Sequence, residues 1–160
     1  MNILPFNRDA AVAYAQDWAL RRNPAYGDFS DMGGDCSNFI SQALIAGGAV
    51  MNTARDTGWY YRSMNDRAAG WSGVPFLYKF LTGNRGRGPF GHEIPVEEAE
   101  PGDIIQLRFA GKDDYSHSLL VTETRGGPRV AAHSYDSLGR PLSAYSYDSA
   151  RALRIDGVRV

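Results

Sequence analysis

A glycine- and proline-rich run from Gly83 to Gly91 divides this chain into two halves whose apolar residues follow different periods, which limits the folds open to it. Upstream, Val12, Ala15, Trp18 and Ala19 fall on one side of a helix that Asn7 can cap, with Arg21 and Arg22 near its C-terminal end and Pro24 beyond. Phe39, Ile40, Ala43 and Leu44 repeat at helical spacing until Gly47-Gly48, and Val74, Leu77, Phe80 and Leu81 form a third amphipathic segment. Downstream, Pro101-Gly102 introduces a strand over 103–109, and 116–124 and 129–134 read as two more around Gly126-Gly127-Pro128. Residues 153–160 supply a last strand. Strands joined by tight turns are antiparallel neighbours, so this order predicts an α+β fold, with N-terminal helices packed on a C-terminal antiparallel sheet. A length of 160 residues suits a single domain over 1–160.

Composition narrows the partners. The formal net charge is −1 and no run of lysine or arginine forms a phosphate-binding stripe, so nucleic acid is not expected to bind. No stretch is long and apolar enough to span a bilayer, and the start Met1-Asn2-Ile3-Leu4-Pro5-Phe6 lacks a charged segment followed by an apolar core. The chain therefore reads as soluble, with no membrane partner; a removed signal peptide would send the same sequence outside the cell. Oligomeric state leaves no signature in these residues.

Cys36 is the only cysteine, which rules out an internal disulfide and directs attention to its setting, Gly33-Gly34-Asp35-Cys36-Ser37-Asn38-Phe39-Ile40. Two glycines allow a tight turn, Asp35 is a favoured N-cap, and Cys36 falls in the first helical turn. Unpaired backbone N–H groups there stabilise a thiolate, which would pull the thiol below its free value of about 8.5, and could hold an oxyanion. Against this stands the common fate of a lone cysteine, packing as a small buried hydrophobe.

A cysteine nucleophile needs a base, and three histidines are available. His92 lies in the glycine-rich stretch and suits an exposed structural role. His117 opens a strand, from whose end its ring can project towards a packed helix; taken alone, a partly buried histidine satisfied by backbone is the commoner case, but the Asp35-Cys36-Ser37 segment favours the base. The base needs an orienting group, and His133 and Asp136 are the candidates. With a three-residue turn over Gly126 to Pro128, Val121 faces His133 and puts it on the His117 face; with a two-residue turn, His117 faces Asp136. Pro128 cannot donate to a ladder, which favours His133.

Trp59, Tyr60, Tyr61, Trp71 and Tyr115 are candidates to line a substrate groove, with Trp59 the first choice because it falls in a loop between helices. Asp35 is a cap with a secondary chance of touching substrate, and Glu97, Glu98 and Glu100 suit a solvated loop. Cys36, His117 and His133 also have the side-chain types of a zinc site, but without the close ligand pairs of zinc motifs.

Across nearly its whole length the chain resembles the putative amidase domain family of bacteria, a branch of the papain-like cysteine hydrolases related to NlpC-type cell-wall endopeptidases. The resemblance rests on Trp18-Ala19, Arg22-Asn23-Pro24, Gly33 to Gln42, Gly58 to Tyr61, Pro101 to Gln106, His117-Ser118, and His133 to Asp136 with Pro141-Leu142. It implies a papain-like core in which Cys36, His117 and His133 are catalytic. It also implies a metal-independent thioester mechanism without cofactor, acting on an amide, with peptidoglycan stem peptides as the substrate of the relatives. A non-catalytic cell-wall or protein binding module and an acyltransferase using the same thiol are the alternatives on this scaffold.

Overall fold

A computed structural model describes all residues 1–160. A short strand β1 (Ile3–Leu4) precedes helices α1 (Arg8–Trp18) and α2 (Cys36–Ala46), then the small hairpin β2 (Tyr61–Ser63) and β3 (Asp66–Arg67). Helices α3 (Ala69–Ser72) and α4 (Val74–Gly83) follow, and the chain then runs through β4 (Gly88–Ile94), β5 (Ile104–Arg108), β6 (His117–Glu123), β7 (Arg129–Ala132), β8 (Ser137–Pro141) and β9 (Ser149–Arg159). The α+β order expected from the two periodicities is the observed one. No helix is long and apolar enough to cross a membrane.

The main sheet is antiparallel, in the order β1-β9-β5-β6-β7-β8, with β4 also pairing along β9. Ile104, Leu120, Ala131, Leu153 and Ile155 meet Phe39, Ile40, Ala43 and Leu44 of α2 on one face. Alternate residues Ile105, Leu107, Leu119, Val121 and Val130 pack beneath Ile94, Ala99 and Leu142 on the other. Both faces are covered, which is why β5 and β6 read as almost continuous apolar runs instead of alternating ones.

Asn7 caps α1 as its position predicts, its side chain accepting from Ala10 N–H at 3.0 Å. The aspartate of the Pro101-Gly102-Asp103 opening has a structural task. Fully buried, Asp103 accepts from Arg8 of α1 at 2.7 Å and from Arg154 of β9 at 2.8 Å, pinning the first helix to the sheet. A buried carboxylate needs such pairing to remain ionised.

Two expectations need correction. The run from Gly83 to Gly91 is not simply a break, for it contains the start of β4. The pairing with β9 shifts between Phe90 and Gly91, and a Cβ on Gly91 would overlap the Arg154 carbonyl oxygen. Glycine there marks a close backbone approach inside a strand. The β6–β7 hairpin follows neither register considered: Leu120 pairs Ala131 and Val121 pairs Val130, and a shift then brings Glu123 opposite Arg129. The connection spans 124–128, longer than either short turn, and the bulge places one extra residue, Thr122, on β6.

Candidate active site

The β6–β7 ladder ends at Leu120 and Ala131, so residues 117–119 of β6 keep a free edge on that side. The N-terminus of α2 fills it. Ser37 and Ser118 hydroxyls lie 3.1 Å apart, and the Ser118 backbone N–H reaches the sulfur of Cys36. Cys36 stands at the first position of α2, and its own N–H donates to no protein acceptor, as expected for the first turn of a helix. Gly33 and Gly34 take φ of 93° and 113°, conformations that a residue with a Cβ adopts only under strain. That turn is what delivers the thiol to the strand edge.

Cys36 and His117 line one cavity of about 740 Å³, together with Gly33, Gly34, Phe109, Ser134, Arg140 and Tyr145. By register His117 shares a face with Leu107 and Leu119, and it is Ser118 that faces α2. The His117 ring therefore enters the cavity around the end of the sheet, packed near Phe109 and Tyr145 with centroids 6.4 and 6.0 Å away. No hydrogen bond joins it to the thiol, and neither ring nitrogen has a protein partner.

The electrostatics describe a neutral resting pair, contrary to the lowered thiol pKa expected from the helix terminus alone. Burial pushes the Cys36 thiol up, outweighing hydrogen bonds from Ser118 N–H and from the hydroxyl and N–H of Ser37. The His117 ring is pushed down to about 4, first by burial and then by the positive charge of Arg140. Since the unfolded ring titrates near 6.5, the folded protein resists a proton that the unfolded chain accepts as pH falls from about 6.5 to 4. Stability should accordingly fall through that window, by on the order of 3 kcal/mol from this group. Denaturant unfolding at pH 7 and pH 4 should show the smaller loss in His117→Asn; equal losses in both proteins would contradict a neutral buried ring.

His133 lies elsewhere than expected. Its Nδ1 meets the Asp35 carboxylate at 2.6 Å and its Nε2 meets the Trp18 carbonyl oxygen at 2.7 Å. Both ring nitrogens are thus engaged by other groups, and neither is free to orient His117. The physical cause is the hairpin register, which puts His133 in phase with Ala131 on the helix face, where it stacks on Phe39 at 4.1 Å. Asp136 does not reach His117 either, being held by a two-pronged pair with Arg22 at 2.8 and 3.0 Å. The zinc arrangement of Cys36, His117 and His133 is not assembled.

Asp35 is a buried anchor instead of a helix cap or a substrate contact. Its carboxylate accepts from Phe29 N–H at 2.8 Å and from the Asn38 amide at 2.9 Å besides His133, and makes no side-chain cap. Trp59 is fully buried, and its indole N–H donates to Ser41 Oγ at 2.9 Å, which in turn donates to the Trp71 carbonyl at 2.8 Å. Trp59 and Trp71 thus brace the back of α2, and none of the five groove aromatics lines the cavity. Tyr115 lies against the Arg151 guanidinium at 3.9 Å. His92 is exposed and paired with Asp156 at 2.8 Å, the structural role its setting suggested.

Residues 5–155 match the putative amidase domain family. The chain belongs to this family. Among curated proteins it is 34% identical over 151 residues to the uncharacterized protein YhbB of Bacillus subtilis (strain 168), covering 92% of this chain and 46% of YhbB. It thus spans about half the length of that relative. No solved structure matches the chain. Membership of the putative amidase domain family points to an amidase-type hydrolase.

Ser134, Arg140 and Tyr145 of the cavity escape sequence reasoning because they come from the short strand β8 and the irregular segments on either side of it. Ser134 has a definite part: its hydroxyl accepts from the Asp35 N–H at 2.9 Å and so holds the turn that presents Cys36.

Proposed function

We propose that this domain is a cysteine hydrolase with a papain-like arrangement, in which Cys36 attacks an amide carbonyl and His117 carries the proton. The observation that supports it most is that the chain's one thiol, at a helix N-terminus, shares a cavity with a neutral, unpartnered imidazole. An imidazole held neutral can accept a proton, and a buried thiol gives one up as its sulfur bonds to carbon. The sulfur–carbon bond forms while the thiol proton passes to His117; the leaving amine then takes that proton as the amide C–N bond breaks. Water, deprotonated by His117, hydrolyses the thioester and returns the thiol. The Cys36 N–H is the first oxyanion donor, having no other acceptor. His133 acts indirectly, through Asp35, by fixing the turn in front of Cys36.

Peptides of the kind found in peptidoglycan stems are the proposed substrate class. Muropeptide fragments incubated with the protein should yield two products whose masses sum to the substrate plus one water, and Cys36→Ala should yield none. Cleavage that persists without Cys36, or no cleavage of any stem-peptide amide, would overturn this reading.

A further inference from the structure

Several arginines of this chain are paired with carboxylates; one that lines the cavity of the thiol is not. Arg8 and Arg154 hold Asp103, Arg22 holds Asp136 beside Asp28 and Asp35, and Arg108 holds Asp148. Arg140 has no carboxylate partner. It is exposed, lines the cavity that contains Cys36 and His117, and is steadied by one hydrogen bond to the Ala144 carbonyl at 3.1 Å. Its guanidinium lies 4.1 Å from the centre of the Tyr145 ring, which restricts its direction.

Tyr145 supplies the second observation. Its hydroxyl is buried and has no hydrogen-bond partner in the protein, although buried hydroxyls nearly always find one. The same ring lies 6.0 Å from His117 and lines the same cavity. No aspartate or glutamate lines that cavity, while serines 116, 134 and 146 do. A guanidinium presents a planar fork of donors that matches a carboxylate, and a phenol adds a further donor. Such a set is complementary to an anion of carboxylate shape.

We propose that Arg140 and the Tyr145 hydroxyl form a carboxylate-binding subsite, so that the amide acted on at Cys36 carries a free carboxylate close to the scissile bond. This rests on the reading of Cys36 as the nucleophile. Burial is the main reason His117 resists a proton and the Arg140 charge the lesser one; a carboxylate seated there offsets the latter, which favours proton transfer from the thiol. Substrate charge and base strength are thereby linked in one contact.

Alkylation tests the subsite without requiring hydrolysis, because Cys36 is the only thiol to label. Iodoacetate, N-iodoacetylglycine and N-iodoacetyl-β-alanine place a carboxylate at increasing distance from the reacting carbon. Each is compared with its own carboxamide, and the rate ratio is normalised to that of N-acetylcysteine. At least one length should favour the acid by about tenfold or more, and the preference should saturate with reagent concentration. Arg140→Gln should return the ratio to that of N-acetylcysteine, Arg140→Lys should keep part of it, and Tyr145→Phe should reduce it while preserving the ring. A ratio equal to that of N-acetylcysteine at every length, or one unchanged in Arg140→Gln, would overturn the proposal. Carboxylate preference without amide hydrolysis would uphold the subsite and sink the hydrolase reading. Cys36-dependent hydrolysis indifferent to a substrate carboxylate would do the reverse.

Discussion

Cys36→Ala is expected to lower amide turnover by roughly 10⁴-fold or more, and His117→Ala by a comparable factor, with the double variant no worse than the single ones. The reason is chemical. In the proposed mechanism, loss of the sulfur removes the acyl acceptor, and without the imidazole a thiol that burial keeps protonated has no group to take its proton. Two groups that act in one step cannot be removed twice, so their losses do not add. Stability should change little in Cys36→Ala, by about 1 kcal/mol, since only one sulfur atom leaves a buried site. Steady-state rates on the cleaved peptide, with thermal unfolding of each variant, check both parts. Additive losses in the double variant would mean that His117 acts apart from Cys36, for example by binding substrate.

The contrast between what these residues show in sequence and what they do in the fold is sharpest at Asp35, Cys36 and His133. Cys36 was legible because glycine flexibility and helix spacing are local properties, and the turn they predict does deliver the thiol to a cavity. The division of the chain into helices and an antiparallel sheet was legible for the same reason. His133 was not, because its face depends on a bulge near Glu123 that no residue pattern announces, and a shift of one residue moves a strand side chain to the other face. The raised thiol was also hidden: a helix terminus can be read from sequence, whereas the burial that outweighs it is a property of the assembled layers. Trp59 illustrates the reverse error. A loop position suggested an exposed aromatic, yet the loop is laid under α2 and its indole is hydrogen-bonded inside the core.

Asp35→Ala is expected to destabilise the fold by about 3–5 kcal/mol, a substantial part of the roughly 5–15 kcal/mol that holds a domain together. As a helix cap, the role its sequence position suggests, Asp35 would contribute only about 1 kcal/mol, so the size of the loss distinguishes the two roles. The larger value follows from what the carboxylate holds. Removing it leaves the Phe29 N–H, one hydrogen of the Asn38 amide and Nδ1 of His133 without their partner in the interior. Asp35→Asn should recover little, because an amide that accepts from Phe29 cannot also oppose His133 as an anion does. His133→Ala is expected to be costly for the mirror reason, leaving the carboxylate buried with only the more distant Arg22 guanidinium, at 3.5 Å, for charge compensation. Urea unfolding of both single variants and the double should therefore give a double-variant loss well below their sum, since the second substitution removes a group already stranded by the first. A loss near 1 kcal/mol in Asp35→Ala, or simple additivity with His133→Ala, would show that the buried pair is not what ties α1, α2 and the end of β7 together in front of the thiol.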